Sequence, residues 1–255
     1  MRRINRIILN PAMLKLAVVS AVSFLLPELA RADGPITNWL LDPATPLARD
    51  VRTNIIITLA VMAPFLILAE GLLLYAVLKF KSKDGRKPAT FHENFKLEVI
   101  WTILPAVALV VIAVPAFGTL KKIDVPPKSD LVIEVIGHQF FWEYRYPKYG
   151  VNIAEKPMVV PVGKVVTLNL TSVDVIHSWF VPAFGVKQDA TPGRISHSWF
   201  NVEQEGNYKG QCAELCGELH AKMYIDVEAV SAEEFEGWLS KQVTTGVAPT
   251  TTTQK

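Results

Sequence analysis

The sequence predicts a two-helix membrane hairpin followed by an all-β domain, a sandwich or barrel, and three observations carry that reading. Two apolar stretches in the first half are long enough to cross a bilayer. A short, strongly basic segment joins them. After Pro126 the pattern changes to short β-rich runs separated by turn residues. Half of the 255 residues are hydrophobic, and that excess is concentrated in the membrane-like half.

Residues 1–32 have the layout of a secretory signal peptide. Arg2, Arg3 and Arg6 give a basic start, an apolar stretch runs from Leu14 to Leu26, and Ala30-Arg31-Ala32 supplies a small-x-small cleavage site. A retained first membrane helix fits less well, because the apolar run is short and Pro27 breaks it. Cleavage after Ala32 removes five basic side chains and Glu28, taking the formal charge from +2 to −2. Such a balance offers no argument for nucleic-acid binding.

The hairpin occupies residues 33–125, with spans at about 54–80 and 97–120. Between the spans lie Lys79, Lys81, Lys83, Arg86, Lys87 and Lys96. The positive-inside rule assigns this loop to the cytoplasm and turns both ends of the hairpin outward, in agreement with the signal peptide. Glu70 interrupts the first span. A carboxyl there must be kept neutral or meet a neighbouring subunit, so the hairpin is expected to pack against another membrane protein.

Residues 126–230 form the β domain. "LVIEVIG", "KVVTLNLTS" and "MYIDVEAV" are β-rich, and Val166, Leu168 and Leu170 alternate with Thr167, Asn169 and Thr171. Pro161-Val162-Gly163 and Pro192-Gly193 mark turns. Residues 231–255 open with a short helix, Ser231 and Glu234 forming a capping box, and end in a Thr-rich tail with almost nothing to bury.

The chemistry is concentrated in "GQCAELCGELHAKM", Gly210 to Met223, which holds both cysteines of the chain. In an exported domain a Cys212–Cys216 disulfide is feasible, but so small a loop stabilises weakly and leaves His220 and Met223 without a role. As ligands the residues read Cys-x3-Cys-x3-His-x2-Met. Zinc has little use for a thioether, whereas electron-transfer copper sites combine imidazole, thiolate and a weak axial Met. Two bridging thiolates would need a second histidine, and "TSVDVIHSWFVP" supplies His177. Spacing thus favours copper, then a disulfide, then zinc.

The cysteine loop, "DVIHSWFVPAFGVKQDATPGR", the aromatic run "GHQFFWEYRY" and "LEVIWTILPA" together resemble subunit II of haem–copper cytochrome c oxidases, in the family's order and over nearly the whole mature chain. The resemblance implies a cupredoxin-like sandwich holding a dinuclear copper centre, CuA. Cys212 and Cys216 would bridge the coppers, His177 and His220 would be terminal, Met223 weakly axial, and Glu214 would contribute its backbone carbonyl. The Glu214 side chain resembles a carboxylate of a magnesium site shared with subunit I. Glu98 matches the carboxylate at the mouth of a proton pathway into subunit I.

The same resemblance implies an electron-entry subunit of a proton-pumping oxidase in a bacterial inner membrane. It would span the membrane twice, with its N-terminus and copper domain outside. Its partners would be subunit I, subunit III, a c-type cytochrome as electron donor, and lipid. Electrons would pass to haem a in subunit I for reduction of oxygen to water. The chain departs from mitochondrial-type relatives at two positions. Phe140 stands where they carry the tryptophan that receives the electron, and Trp142 matches a second, separate tryptophan. Arg145 replaces an acidic residue of the docking patch, while Asp174 retains another. This implies an electron donor less basic than a lysine-rich cytochrome c. His138 and His197 are read as structural.

Two other functions compete. A copper-free subunit of a quinol oxidase would share the fold but lack the ligands. A thioredoxin-like copper-delivery protein would place its cysteines before its histidine, whereas His177 precedes them here.

Overall fold

A computed structural model describes residues 42–80, 90 and 92–244. The predicted signal peptide, most of the basic loop and the Thr-rich tail lie outside the described residues. Helix α1 (Pro46–Lys79) begins eight residues before the apolar span. Thr45 caps it by accepting from Ala48 N at 2.9 Å, and Pro46 takes the first helical position, where no N–H is needed. Residues 49–54, polar apart from Val51, continue the helix although they are too hydrophilic for lipid. At about 1.5 Å per residue the helix is some 50 Å long, more than the roughly 30 Å hydrocarbon layer, so its first turns project into the aqueous side.

Helix α2 (Phe95–Asp124) is capped by Asn94, whose Oδ1 accepts from Leu97 N. Only 0% and 6% of the most apolar stretches of α1 and α2 are buried, so these are not core helices of a soluble domain. The two helices meet where Asn54 Nδ2 donates to Thr119 Oγ1 at 2.7 Å and Lys122 pairs with Asp50 at 2.6 Å.

The β domain is a sandwich of two five-stranded sheets, the cupredoxin-like architecture the sequence predicts. One sheet contains β1 (Leu131–His138), β2 (Phe141–Tyr146), β3 (Val151–Ala154), β5 (Val166–Ser172) and β8 (Ser196–Phe200), in the order β3-β2-β1-β5-β8. The other contains β4 (Met158–Pro161), β6 (His177–Val181), β7 (Val186–Ala190), β9 (Gly206–Cys212) and β10 (Tyr224–Val230), in the order β4-β10-β9-β6-β7. Both sheets are mixed: β1 runs parallel to β5 and β4 to β10, while the other pairs are antiparallel. The alternation read along β5 is the one observed, with Val166, Leu168 and Leu170 fully buried between the sheets. They meet Ile133, Val135, Trp179, Phe200 and Ile225 in one core. Helix α3 (Ala232–Thr244) has the expected capping box, Ser231 N donating to Glu234 and Glu234 N to Ser231 Oγ. It buries Phe235 and Leu239 on the sandwich, with Trp238 against Tyr146.

Candidate metal centre

Antiparallel β9 and β10 are joined by the cysteine loop, so their register brings the two ends of that loop together. Cys212 closes β9, and its N–H donates to Met223 O at 2.9 Å. His177 opens β6, the neighbour of β9, where Trp179 lies opposite Cys212. Pairing across the sheet therefore delivers a histidine from 35 residues upstream to the loop. A backbone bond from Ala213 N to Ser178 O, 2.9 Å, fixes the two segments together.

Four of the expected ligands are buried: His177, Cys212, Cys216 and Met223. Both cysteines are free thiols, their sulfurs 3.9 Å apart. Cys212 Sγ lies 3.9 Å from His177 Nδ1 and 3.3 Å from the Glu214 carbonyl oxygen. Cys216 Sγ lies 3.5 Å from His220 Nδ1 and 3.9 Å from Met223 Sδ. Two atoms bound to one tetrahedral metal at about 2.3 Å for sulfur and 2.0 Å for nitrogen stand roughly 3.5–3.8 Å apart, so these separations fit ligands sharing a metal. One histidine flanks each sulfur, and a thioether and a carbonyl complete the set, a donor chemistry compatible with copper. The Glu214 side chain is exposed and takes no part in this cluster.

Asp174 orients His177. Its carboxylate accepts from His177 Nε2 at 2.8 Å, so that nitrogen carries a proton and Nδ1 faces Cys212. Burial would raise the Asp174 pKa, but hydrogen bonds from His177, Val175 N, Gln139 N and Ser172 outweigh it and hold the group at about 2. Burial likewise disfavours a charged His177, yet Cys212 and Asp174 raise its pKa. Burial opposes ionisation of both thiols. At Cys212 the bonds from His177, the loop backbone and His220 prevail, lowering its pKa to about 6, while the neighbouring Cys212 pushes Cys216 up to about 11.

Sequence reasoning missed the support around this cluster. A Cβ at Gly137 would stand 2.7 Å from His177 Cδ2, so glycine is what lets β1 lie against the imidazole. Gln139 N donates to Asp174 at 2.7 Å and its Nε2 to Cys216 O at 2.5 Å. The "GHQ" lead-in to the aromatic run was the available signal. Phe140, half-buried, packs against Gly217 of the cysteine loop. Trp142 is only 3% exposed and lies edge-on to His177, with ring centroids 5.8 Å apart. It therefore lies behind the surface rather than on it.

Arg145 is not a bare charge. Its Nε donates to buried Glu143 at 2.6 Å, and Glu143 also bonds Asn152 and His138. His138 stacks on Phe141, and His197 bonds Asn169. Glu98 lies in the first turn of α2, away from the metal cluster, where its Oε1 accepts from Asn94 N at 3.2 Å.

Residues 150–230 match the family described as cytochrome c oxidase subunit II, periplasmic domain, and residues 35–119 match its transmembrane domain. Cytochrome c oxidase subunit 2 of Cereibacter sphaeroides is 37% identical over 235 residues, covering 78% of each chain. A probable cytochrome c oxidase subunit 2 of Rickettsia bellii is 36% identical over 220 residues, covering 78% of this chain and 82% of the relative. The crystal structure of the periplasmic domain of subunit II of cytochrome oxidase (CoxB) of Bradyrhizobium japonicum is 38% identical. It covers 48% of this chain and 99% of that one, with a TM-score of 0.47.

Proposed function

Because the chain belongs to the cytochrome c oxidase subunit II family, a membrane-anchored subunit of an oxidoreductase that works beside subunit I, we propose that it is the electron-entry subunit of its complex. His177, Cys212, Cys216, His220, Met223 and the Glu214 carbonyl would hold two coppers, which when bound supply a one-electron relay between a c-type cytochrome and haem a of subunit I. The observation that carries this reading is the pair of free thiols 3.9 Å apart, each flanked by an imidazole nitrogen. A copper-free quinol-oxidase subunit would have no need of that set.

The protein's own contribution is to hold the ligands still. The Asp174–His177 bond sets one imidazole, the Cys212–Met223 backbone bond closes the loop, and the surrounding burial excludes water. Phe140 and Trp142 form the electron-entry region, Phe140 outward and Trp142 between the surface and His177. Asp174 retains one acidic group at the docking edge. We assign Glu98 to the entrance of a proton pathway and the exposed Glu214 carboxylate to a magnesium site completed by subunit I, with subunit III as a further neighbour. The basic loop faces the cytoplasm, and the sandwich faces the outer side of a bacterial inner membrane.

Metal content and electron paramagnetic resonance of the purified complex test this reading. Two coppers per chain with a mixed-valence signal are expected; zinc, or a metal-free disulfide, would overturn it. The donor is expected to be less basic than a lysine-rich cytochrome c, because Arg145 and Glu143 neutralise one another at this corner. Turnover with a basic cytochrome c should accordingly depend little on ionic strength, and a steep fall with salt would contradict the assignment.

A further inference from the structure

We infer that the junction between the first turn of α1 and the turn Pro182–Gly185 is a positioning device for electron transfer, setting where the metal centre stands relative to its membrane-embedded acceptor. The inference rests on the electron-entry reading above. Thr45 is fully buried at the junction, and its Oγ1, while capping α1, donates to Phe184 O at 2.8 Å. Ala44 N donates to Ala183 O at 2.8 Å, and Glu203 N to Ala44 O at 3.2 Å. Gly185 has φ +70° and lies so close to the helix that a Cβ there would stand 2.8 Å from Ala48 Cα. The Arg49 guanidinium grips Glu203 through two bonds, 2.6 and 2.9 Å.

These contacts are suited to fixing direction rather than to supplying stability. The sandwich has its own core, and an exposed ion pair contributes little free energy, but a two-pronged arginine–carboxylate bond constrains angle. A second strut reinforces the first: Trp199 Nε1 of β8 reaches the carbonyls of Lys122 and Ile123 at the end of α2. With α1 and α2 tied by Asn54–Thr119 and Asp50–Lys122, the helices and the sandwich form a closed ring. Without the α1 strut, only residues 125–130 and the Trp199 bonds to the end of α2 would join the two parts, a single edge about which weakly joined domains can rock.

The junction also connects to the centre through packed rings. Phe184 stacks on Phe200 at 4.6 Å, and Phe200 on Trp179 at 6.2 Å. Trp179 lies two residues from His177 on β6 and opposite Cys212 on β9. Thr45 and Gly185 therefore act as positioning residues although they touch no ligand.

The test compares Gly185→Ala, Thr45→Val, Thr45→Ser and Arg49→Gln with wild type in the intact complex, following electron transfer from the copper centre to the haem of subunit I after rapid reduction. Electron-transfer rate falls exponentially with the distance between the two redox centres, so Gly185→Ala and Thr45→Val should slow this step several-fold. Copper content, the mixed-valence signal and the rate of reduction by the electron donor should stay at wild-type values. Thr45→Ser, which keeps the hydroxyl, should restore the rate, and exposed Arg49→Gln should slow it by a smaller factor. Wild-type rates in Gly185→Ala and Thr45→Val would overturn the inference. So would a fall that comes only with loss of the copper signal, since the junction would then serve folding. A wild-type complex with no mixed-valence signal would instead defeat the electron-entry reading, and this inference with it.

Discussion

The hairpin and the sandwich use similar apolar residues and treat them in opposite ways. Ile133, Val135, Leu168 and Leu170 are completely shielded inside the sandwich, whereas Ile67, Leu72 and Leu73 of α1 are more than half exposed. The sandwich carries its own solvent-free interior, so its geometry is set within the chain. Apolar contact between two helices gains little in lipid, where the tails are as apolar as leucine. The hairpin is therefore pinned by polar contacts at the end next to the sandwich, and its remaining surface is left for lipid and partner subunits. That division explains how a largely buried side-chain cluster can be carried by a membrane element with almost no interior.

The largest effect that could break this contrast comes from matched truncations. Leu168→Ala should destabilise the sandwich by about 2–5 kcal/mol. Leu73→Ala, on a side chain 61% exposed, should leave its unfolding within about 0.5 kcal/mol of wild type. Chemical denaturation in detergent, followed by tryptophan fluorescence, measures both. Equal losses would mean that the two regions share one cooperative core.

A smaller effect sharpens the claim that the sandwich organises its own site. Asp174→Ala should lower copper affinity by about 10–100-fold, as loss of a partner that orients a ligand does, without unfolding the domain. Competition with a chelator measures this, and unchanged affinity would show that the backbone alone holds His177.

The smallest effect is a pH dependence confined to the sandwich. Burial raises the Glu143 pKa, but bonds from Arg145, Asn152 and His138 outweigh it, and the folded value lies below the ordinary one. A depressed carboxylate stabilises the fold above its unfolded pKa, about 4.3, and loses that contribution as pH falls through the folded value. Wild type should thus lose stability more steeply than Glu143→Gln below about pH 4.5. Parallel acid-unfolding curves would remove Glu143 from the account.

Local features of the chain were legible without any coordinates. The two spans, the alternation along β5, the Ser231–Glu234 box and the ligand order of the cysteine loop depend on neighbours within a few residues, and short-range spacing records them directly. The sequence could also nominate His177, but not the direction of its ring. Pairing of β6 with β9 brings it to Cys212, Gly137 leaves room for it, and Asp174 selects the nitrogen that faces the sulfur. The neutralisation of Arg145 by Glu143, the burial of Trp142 and the bond from Thr45 to Phe184 were equally beyond reach of the sequence. Each of these depends on where distant segments or buried side chains meet after the sheets close. No local periodicity encodes that meeting, because it is set by strand register and by the packing of one sheet on the other.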